Sequence, residues 1–215
     1  MPRLLVLRHA QSVWNADGLF QGWSDAPLSE LGEQQGQLAG KALAHLGVSP
    51  GLVACSDLAR ARRTAELIAA GTGYEGDLLV DSGLREQDLG DWNGRTRDEI
   101  EVSWPNQLAE RDRGLLLDVP GGESGEAFVE RSMAAFRRVA GACLEAGVEE
   151  AVAVSHGGAL VVLEQALLGS GEGRRHPNLS GWWLELSGTP GEPSMAPLEH
   201  VEMLAYGVET VTGPA

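Results

Sequence analysis

An apolar run at residues 4–7 of this 215-residue chain leads directly into Arg8 and His9. Four consecutive aliphatic side chains are typical of a strand that is buried on both faces, as in a parallel sheet. The arrangement recurs twice, with residues 151–154 followed by Ser155 and His156, and residues 52–55 followed by Ser56, Asp57 and then Arg60. Buried strands that end in polar and basic residues indicate an open α/β sheet with a site at one edge.

Ligands of open α/β sheets bind at the carboxyl ends of the strands. We therefore expect His9, His156, Arg8 and Arg60 to meet at one edge of the sheet. Taken alone, His9 is explained equally well as a core histidine with satisfied hydrogen bonds. A second histidine at an equivalent strand end favours a joint function. Imidazoles beside guanidiniums suit phosphoryl transfer, in which charge on three oxygens must be neutralised.

Strand-like and helix-like segments alternate along the chain. The predicted strands are residues 52–55, 78–80 and 151–154 besides the first, and the predicted helices begin near Ser29, at Ser56 or Asp57, near Glu123 and near Gly158. Residues 182–186 and 201–204 flank a Gly/Pro-rich stretch, which predicts an antiparallel pair at one edge. The predicted fold class is α/β, a three-layer sandwich with a mostly parallel central sheet, helices on both faces and an antiparallel edge.

The length predicts a single domain over residues 1–215. Residues 91–122 are broken by Pro105 and Pro120, and we interpret them as a helical cap insertion over the sheet edge. The polar loop at residues 11–27 is long, and loops of this length are usually functional.

The formal net charge of −15 argues against nucleic acid or an anionic membrane as the main partner. No apolar stretch reaches the length of a membrane helix, and the N-terminal residues do not form a secretory signal. Cys55 and Cys143 are too few and too isolated for a disulfide framework. These features predict a cytoplasmic protein that binds neither nucleic acid nor membrane.

Arg60 lies in the first turn of a predicted helix, where the macrodipole disfavours a cation by roughly 0.3–1 kcal/mol. An anionic ligand at this helix start would convert that cost into a gain. Arg62 and Arg63 follow directly, and we expect them to pair with Asp57 and Glu66 on a solvated face. Arg60 is therefore the candidate for ligand binding in this group.

Two further candidates depend on their context. Gly157 opens a predicted helix at a strand end, so its backbone N–H is free to bind phosphate, although strand–Gly–helix turns are common. Glu86 lies in a polar loop after the third predicted strand and resembles any surface acid when considered alone.

Residues 7–12, Leu-Arg-His-Ala-Gln-Ser, resemble the signature of the histidine phosphatase superfamily, also called phosphoglycerate mutase-like. Further segments that resemble this family lie at residues 28–32, 56–61, 64–65, 84–86, 89–94, 120–124 and 154–158. In order and spacing they cover the chain from residue 4 to about 186. The resemblance implies the fold described above and a phosphomonoesterase that hydrolyses a small phosphorylated metabolite.

The resemblance implies roles for three residues of the reaction itself. His9 would be the nucleophile that becomes phosphohistidine. His156 would donate a hydrogen bond to the same phosphoryl group and stabilise the transition state. Glu86 would protonate the leaving oxygen and then activate the water that hydrolyses the phosphoenzyme. Family members need no metal ion, and we expect no cofactor here.

The resemblance also implies the contacts of the substrate, a small-molecule phosphomonoester. Arg8 and Arg60 would bind the phosphoryl oxygens, and Asn15 would add an amide contact. The backbone around Gln21 and Gly22, together with the cap, would contact the rest of the substrate.

Alternatives remain open. Ala10 stands where the family usually has Gly, so its methyl group either crowds the phosphate or fixes the loop.

The short segment at 91–122 resembles the phosphatase branch, which includes broad-specificity, α-ribazole phosphate and glucosyl-3-phosphoglycerate phosphatases. The mutases carry a longer Lys/Arg-rich insertion, but a cofactor-dependent phosphoglycerate mutase and a non-catalytic phosphate-binding module both stay possible. Metallohydrolase and serine hydrolase motifs are missing from the sequence. The oligomeric state, with a homodimer among the possibilities, is left open.

Overall fold

The predicted α/β sandwich is confirmed by a computed structural model that describes residues 1–112, 117–169 and 176–206. The strands are β1 (Arg3–Arg8), β2 (Leu52–Cys55), β3 (Leu79–Val80), β4 (Glu150–Ser155), β5 (Ser180–Thr189) and β6 (Glu192–Glu202). The helices are α1 (Val13–Ala16), α2 (Glu30–His45), α3 (Ala59–Thr72), α4 (Arg97–Ser103), α5 (Pro105–Asp112), α6 (Gly125–Ala146) and α7 (Gly157–Leu168). Short 3₁₀ turns lie at Ser82–Leu84, Gly90–Trp92 and Met203–Tyr206.

Within the described residues, the sheet has the strand order β3-β2-β4-β1-β5-β6. The strands β1 to β4 run parallel, and β5 and β6 add an antiparallel edge. In the parallel register Arg8 lies opposite Ser155, and Cys55 lies opposite Val154. The residues that follow these strands therefore emerge at one edge of the sheet, as the sequence predicts.

Alternation along β1 separates the two faces of the sheet. Leu4 and Val6 pack into a cluster with residues of α6 and α7, whereas Leu5 and Leu7 pack into a second cluster with residues of α2 and α3. All four side chains are fully buried. Because each buried leucine or valine contributes about 1.5–3 kcal/mol, the strand that carries Arg8 is anchored from both sides.

The segment 91–122 contains α4, α5 and most of a smaller apolar cluster, to which the preceding Leu89 also belongs. Six buried residues form this cluster: Leu89, Trp92, Ile100, Leu108, Leu117 and Val119. The interpretation of the segment as a cap on a single domain stays a prediction.

Several boundaries differ from the predicted ones. Helix α3 begins at Ala59 rather than at Ser56 or Asp57, because the Asp57 carboxylate pairs with Arg85 instead of capping the helix. Helix α6 begins at Gly125, where the Ser124 hydroxyl accepts a hydrogen bond from the Ala127 amide.

The C-terminal hairpin is longer than predicted, because much of the Gly/Pro-rich stretch belongs to β5 and β6 and only Pro190 and Gly191 separate them. Prolines are tolerated within β6 because it is the edge strand. Across the described ranges, no helix is both long and apolar enough to cross a membrane.

Close packing of α2 against α3 makes Gly40 a test of the fold. A Cβ atom at Gly40 would lie 2.8 Å from the carbonyl oxygen of Leu67 and 3.0 Å from the Cα of Gly71. The helices must separate to accommodate it, so Gly40→Ala should lower the free energy of unfolding by about 1–3 kcal/mol, despite the higher helix propensity of alanine. Urea unfolding measures the change. Gly191→Ala is the matched control, since a Cβ there meets nothing within 4 Å. Equal stabilities of the two variants would contradict the packing argument.

Candidate functional site

The predicted residues converge on one cavity of about 270 Å³ at the carboxyl edge of the parallel strands. Its lining contains Arg8, His9, Asn15, Gln21, Gly22, Arg60 and Glu86, together with Gly18, Leu19, Phe20, Leu89 and Arg111. The imidazole of His156 lies behind His9, with ring centroids 5.1 Å apart. The residues come from the end of β1, the long loop at 11–27, the start of α3, the loop after β3, the end of β4 and α5.

His9 is held as a neutral imidazole with one defined tautomer. Its side chain is 2% exposed, and Nδ1 lies 2.6 Å from the Ala10 carbonyl oxygen, to which it must donate. Nε2 then carries the lone pair and accepts a hydrogen bond from the Arg60 Nε at 3.2 Å. Burial, followed by the charges of Arg60 and Arg8, lowers the pKa of His9 well below its usual value. The ring therefore presents an unprotonated nitrogen beside a cation.

Arg60 is the most strongly constrained cation of the site. It is 1% exposed and donates from Nη1 to the Ser24 carbonyl at 2.7 Å and from Nη2 to the Gly22 carbonyl at 2.8 Å. Burial lowers the pKa of this guanidinium to about 10, a value at which it is still charged at neutral pH. Arg60 thus ties α3 to the loop at 11–27 and aims its positive charge at His9.

Arg8 and Asn15 approach the cavity from the end of β1 and from α1. Arg8 donates from Nη1 to the His176 carbonyl at 2.6 Å, while its Nε is buried without a hydrogen-bond partner among the described residues. Burial lowers the pKa of Arg8, and Glu86 opposes that shift. The Asn15 oxygen accepts from the Ser12 amide and from Asn178, which leaves the amide nitrogen of Asn15 to donate to a ligand.

His156 follows β4 and is fully buried. Neither of its ring nitrogens has a hydrogen-bond partner among the described residues. Burial, followed by the charges around it, of which Arg60 is the largest, lowers the pKa of His156 well below its usual value. A buried and unsatisfied imidazole is costly, and a phosphoryl oxygen next to His9 would accept its N–H. Gly157 lies beside Arg8, since a Cβ there would be 3.6 Å from the Arg8 Nε.

Glu86 is fixed by backbone amides. Its Oε1 accepts from the Gln87 N–H at 2.9 Å, and its Oε2 accepts from the Gly158 N–H in the first turn of α7, also at 2.9 Å. A side chain at Gly158 would displace the carboxylate, because its Cβ would lie 2.1 Å from Oε1. The contact explains why a glycine follows Gly157 at this helix start.

Gln21 and Gly22 shape the cavity wall mainly through their backbone and buried contacts. The Gln21 side chain accepts a hydrogen bond from Ser12 at 2.8 Å, and Gly22 adopts a φ of +47°. A Cβ at Gly22 would lie 2.7 Å from the Leu89 amide nitrogen, so only glycine fits this close approach.

The question raised by Ala10 has a structural answer. Its methyl group is fully buried within the cluster shared with α2 and α3. The Ala10 amide donates to the Thr64 hydroxyl at 3.0 Å, and its carbonyl accepts from His9. The methyl group therefore packs into the core and helps to fix the segment that orients His9.

The expected ion pairs next to Arg60 are correct in part. Arg62 contacts Glu66, and Arg63 pairs with Glu33 and Glu66 on the surface. The predicted role of Asp57 is wrong, because Asp57 pairs with Arg85 in a bidentate arrangement at 2.8 and 2.5 Å. Arg60 takes no part in these pairs and faces the cavity.

Sequence reasoning missed several residues that support the site. Asn178 donates to the His9 carbonyl at 2.8 Å as well as to Asn15. The next residue, Leu179, is buried with a φ of +58°, an uncommon conformation for a side chain of this size. Backbone strain of this kind is concentrated near functional sites, but no local sequence pattern predicts it. In the portions of the chain that the structure describes, no group of three or more His, Cys, Asp or Glu side chains is arranged to hold a metal ion.

Comparisons with known proteins agree with this geometry. A family model described as Histidine phosphatase superfamily (branch 1) matches residues 4–192. A "Probable phosphoglycerate mutase GpmB" from Salmonella paratyphi B is 37% identical over 173 residues, which cover 79% of this chain and 76% of the relative. A 2,3-bisphosphoglycerate-dependent phosphoglycerate mutase from Allorhizobium ampelinum is 37% identical over 123 residues, or 56% of this chain and 58% of that protein.

A solved structure is similar over nearly the whole chain. It is a mycobacterial glucosyl-3-phosphoglycerate phosphatase in complex with VO3, with a TM-score of 0.78 and 31% sequence identity. The likeness covers 92% of this chain and 97% of that one. The two sequence relatives thus carry mutase names, whereas this structural neighbour carries a phosphatase name.

Because His9 and His156 are buried beside two guanidiniums, we expect the free energy of unfolding to fall below pH 6.5. In the unfolded chain both histidines titrate near pH 6.5, whereas in the fold the pKa of each is lowered. The unfolded state therefore binds more protons as the pH falls through 6.5, and each histidine costs up to about 1.4 kcal/mol per pH unit. His156→Gln should reduce the slope of the unfolding free energy between pH 6.5 and 5.5 by about 1 kcal/mol per pH unit, since the unfolded histidine is only partly protonated in this range. His45→Gln, at the exposed end of α2, is the matched control, and an equal slope in both variants would contradict the argument.

Proposed function

Because the chain belongs to branch 1 of the histidine phosphatase superfamily, we propose that it is a metal-independent phosphomonoesterase that acts through a phosphohistidine at His9. The observation that carries this proposal is the state of His9. Its Nδ1 N–H donates to the Ala10 carbonyl, and its Nε2 lone pair accepts a hydrogen bond of 3.2 Å from the Arg60 Nε, which is given up when Nε2 attacks phosphorus. A neutral imidazole beside fixed cations is ready to attack a dianionic phosphoryl group.

The first step of the proposed reaction transfers the phosphoryl group to the enzyme. The Nε2 lone pair of His9 forms a bond to phosphorus while the ester P–O bond breaks. Arg8 and Arg60 neutralise the charge on the phosphoryl oxygens, and His156 donates its ring N–H to one of them. The leaving alkoxide is a strong base, and Glu86 supplies its proton at the open side of the cavity.

The second step returns the enzyme to its starting state. Glu86, now a carboxylate, accepts a proton from a water molecule, whose oxygen attacks the phosphorus of the phosphohistidine. The P–N bond breaks, inorganic phosphate forms, and the Nε2 lone pair is restored. The two guanidiniums carry the charge neutralisation throughout, so the proposal includes neither a metal ion nor a cofactor.

The size and the lining of the cavity suit a small phosphate ester. Beyond the phosphoryl site lie Phe20, Leu89 and Arg111, with the Arg111 guanidinium over the Phe20 ring. Glucosyl-3-phosphoglycerate, named for the mycobacterial structural neighbour, is one candidate substrate of this class. Because proteins that share a fold act on varied substrates, we propose the substrate only as a small phosphorylated metabolite.

A phosphoglycerate mutase is the second candidate, favoured by the names of the sequence relatives. A mutase must retain a bisphosphate for retransfer, which calls for extra cations above the site. In the described part of the cap, Arg97 pairs with Asp112, and Arg95 donates to the Asp91 carbonyl while lying over Trp104. Arg111 is the cap arginine that lines the cavity among the described residues, and Arg113 lies outside them. This distribution of charge supports hydrolysis over retransfer.

Replacement of the nucleophile tests the proposed mechanism. His9→Ala should reduce hydrolysis of p-nitrophenyl phosphate on the order of 10³-fold or more, because the covalent intermediate can no longer form. Wild-type protein mixed with ³²P-labelled substrate and quenched in denaturant should retain an acid-labile, alkali-stable phosphate. His45→Ala should retain both activity and label. Substantial turnover by His9→Ala would refute the covalent mechanism, and the absence of turnover in the wild type would favour a non-catalytic phosphate-binding module.

The fate of 3-phosphoglycerate separates the two candidate activities. Any 3-phosphoglycerate that is turned over should yield inorganic phosphate, because the described cap places few cations near the site to hold a bisphosphate. ³¹P NMR with and without 2,3-bisphosphoglycerate measures both products, with His9→Ala as the background. Interconversion of 3- and 2-phosphoglycerate that outpaces phosphate release and depends on the bisphosphate would assign the chain to the mutases.

A further inference from the structure

We infer that Trp23 is a positioning residue that holds the main chain of Glu86 in place for proton transfer. The inference rests on the proposed role of Glu86 as the general acid. The indole Nε1 of Trp23 donates to the Glu86 carbonyl oxygen at 2.7 Å. This is a side-chain contact across 63 residues of sequence, made by a residue of the loop at 11–27.

Arg131 completes the support of the same loop from α6. Its Nη2 also donates to the Glu86 carbonyl at 3.1 Å, and its Nη1 donates to the carbonyls of Gly83 at 2.9 Å and Arg85 at 3.1 Å. The guanidinium is itself oriented by a bidentate pair with Glu123 at 2.8 and 2.7 Å. Three carbonyls of one loop are therefore held by a single planar cation, a geometry that lysine cannot reproduce.

The indole ring of Trp23 is fixed by cations as well as by its N–H. The guanidinium carbon of Arg85 lies 4.8 Å from the ring centroid, and that of Arg131 lies 5.8 Å away. Trp23 is 38% exposed, so burial in the core does not account for its position. Its ring and its N–H both point to the Glu86 loop.

Trp23 also connects Glu86 to the phosphoryl site. The residues on either side of it, Gly22 and Ser24, give their carbonyls to Arg60. One short segment therefore binds the cation that contacts His9 and, through the indole between these carbonyls, the main chain of the acid. The distance between nucleophile and acid is set by this segment, and efficient proton transfer needs a donor within about 0.5 Å of its productive position.

The positioning role predicts a loss that depends on the leaving group. Trp23→Phe removes the N–H but keeps an aromatic ring beside the two guanidiniums. Phenyl phosphate and p-nitrophenyl phosphate have similar shapes, but phenolate is the more basic leaving group and depends more on a proton donor. General acids contribute typically 10²–10⁴-fold, and we expect Trp23→Phe to lose about tenfold in the phosphorylation step with phenyl phosphate. The loss with p-nitrophenyl phosphate should stay below about twofold, since it needs little acid assistance.

The rates are measured by rapid quench in a single turnover of the full chain, so that hydrolysis of the phosphoenzyme does not interfere. Trp183→Phe is the matched control, because Trp183 also lies under an arginine, Arg3, but pairs with β1 at Leu5, away from the cavity. Its phenyl to p-nitrophenyl rate ratio should equal that of the wild type, whatever its thermal stability. Arg131→Lys should shift the ratio in the same direction as Trp23→Phe.

Glu86→Gln separates failure of this inference from failure of the proposed function. If Glu86→Gln shows the leaving-group dependence, Trp23→Phe should add no further dependence in the double variant, because the acid that it positions is gone. If Glu86→Gln shows the leaving-group dependence but Trp23→Phe loses equally on both substrates, or loses nothing, the positioning role is overturned and the proposed function stays in place. A Glu86→Gln variant without selectivity would remove Glu86 as the acid and overturn both.

Discussion

The buried guanidinium of Arg60 is the interaction on which the rest of the site depends. A charge removed from water costs several kcal/mol unless it is paired and hydrogen-bonded, and the first turn of a helix adds a small unfavourable dipole term. The carbonyls of Gly22 and Ser24 and the His9 nitrogen accept from three of its five N–H donors, and none of these acceptors carries a negative charge. The residue is therefore arranged for a ligand that does. Its demand for the two carbonyl acceptors of Gly22 and Ser24, which lie on either side of Trp23, also accounts for the left-handed turn at Gly22, which brings the loop at 11–27 against the sheet edge.

Burial and the same charge together set the protonation of the histidines. Burial favours the neutral form of both imidazoles, and the charges of Arg60 and Arg8 favour it further, so the proposed phosphoryl site offers two fixed positive charges and one lone pair. Within a chain whose net charge is −15, this local reversal of sign supports the proposed dianionic ligand. A protonated His9 could not act as the proposed nucleophile, and the two cations that we propose to bind the phosphoryl group add to the effect of burial in lowering the pKa of His9. The same two guanidiniums therefore contribute both to the proposed binding and to the proposed activation.

The sequence was sufficient for those parts of the site that follow from strand ends. The parallel register of β1, β2 and β4 brings Arg8, His9 and His156 together by geometry alone, and the helix start after β2 adds Arg60. The family resemblance supplied the candidate role of Glu86. The contacts of Trp23, Arg131 and Asn178 could not be predicted, because they join segments far apart in sequence through loop conformations without periodicity. The partner of Asp57 was missed for the same reason, since Arg85, which pairs with it, comes from a loop rather than from the adjacent helix.

The two halves of the cavity are built on different supports, and this difference bears on substrate range. The phosphoryl half rests on the end of β1, on the end of β4 and on α3, elements packed into two buried clusters. The half that we propose to meet the alcohol consists of Phe20, Leu89 and Arg111, which belong to loops and to the small helix α5. Groups anchored in a close-packed core cannot shift without disturbing it, whereas loop side chains adapt at lower cost. We accordingly expect the proposed phosphatase to be strict for the phosphoryl group and permissive for the alcohol. The hydrogen bond from Trp23 and the three from Arg131 then hold the loop of Glu86 in place, so that, on our inference, Glu86 is positioned as rigidly as the groups of the phosphoryl half.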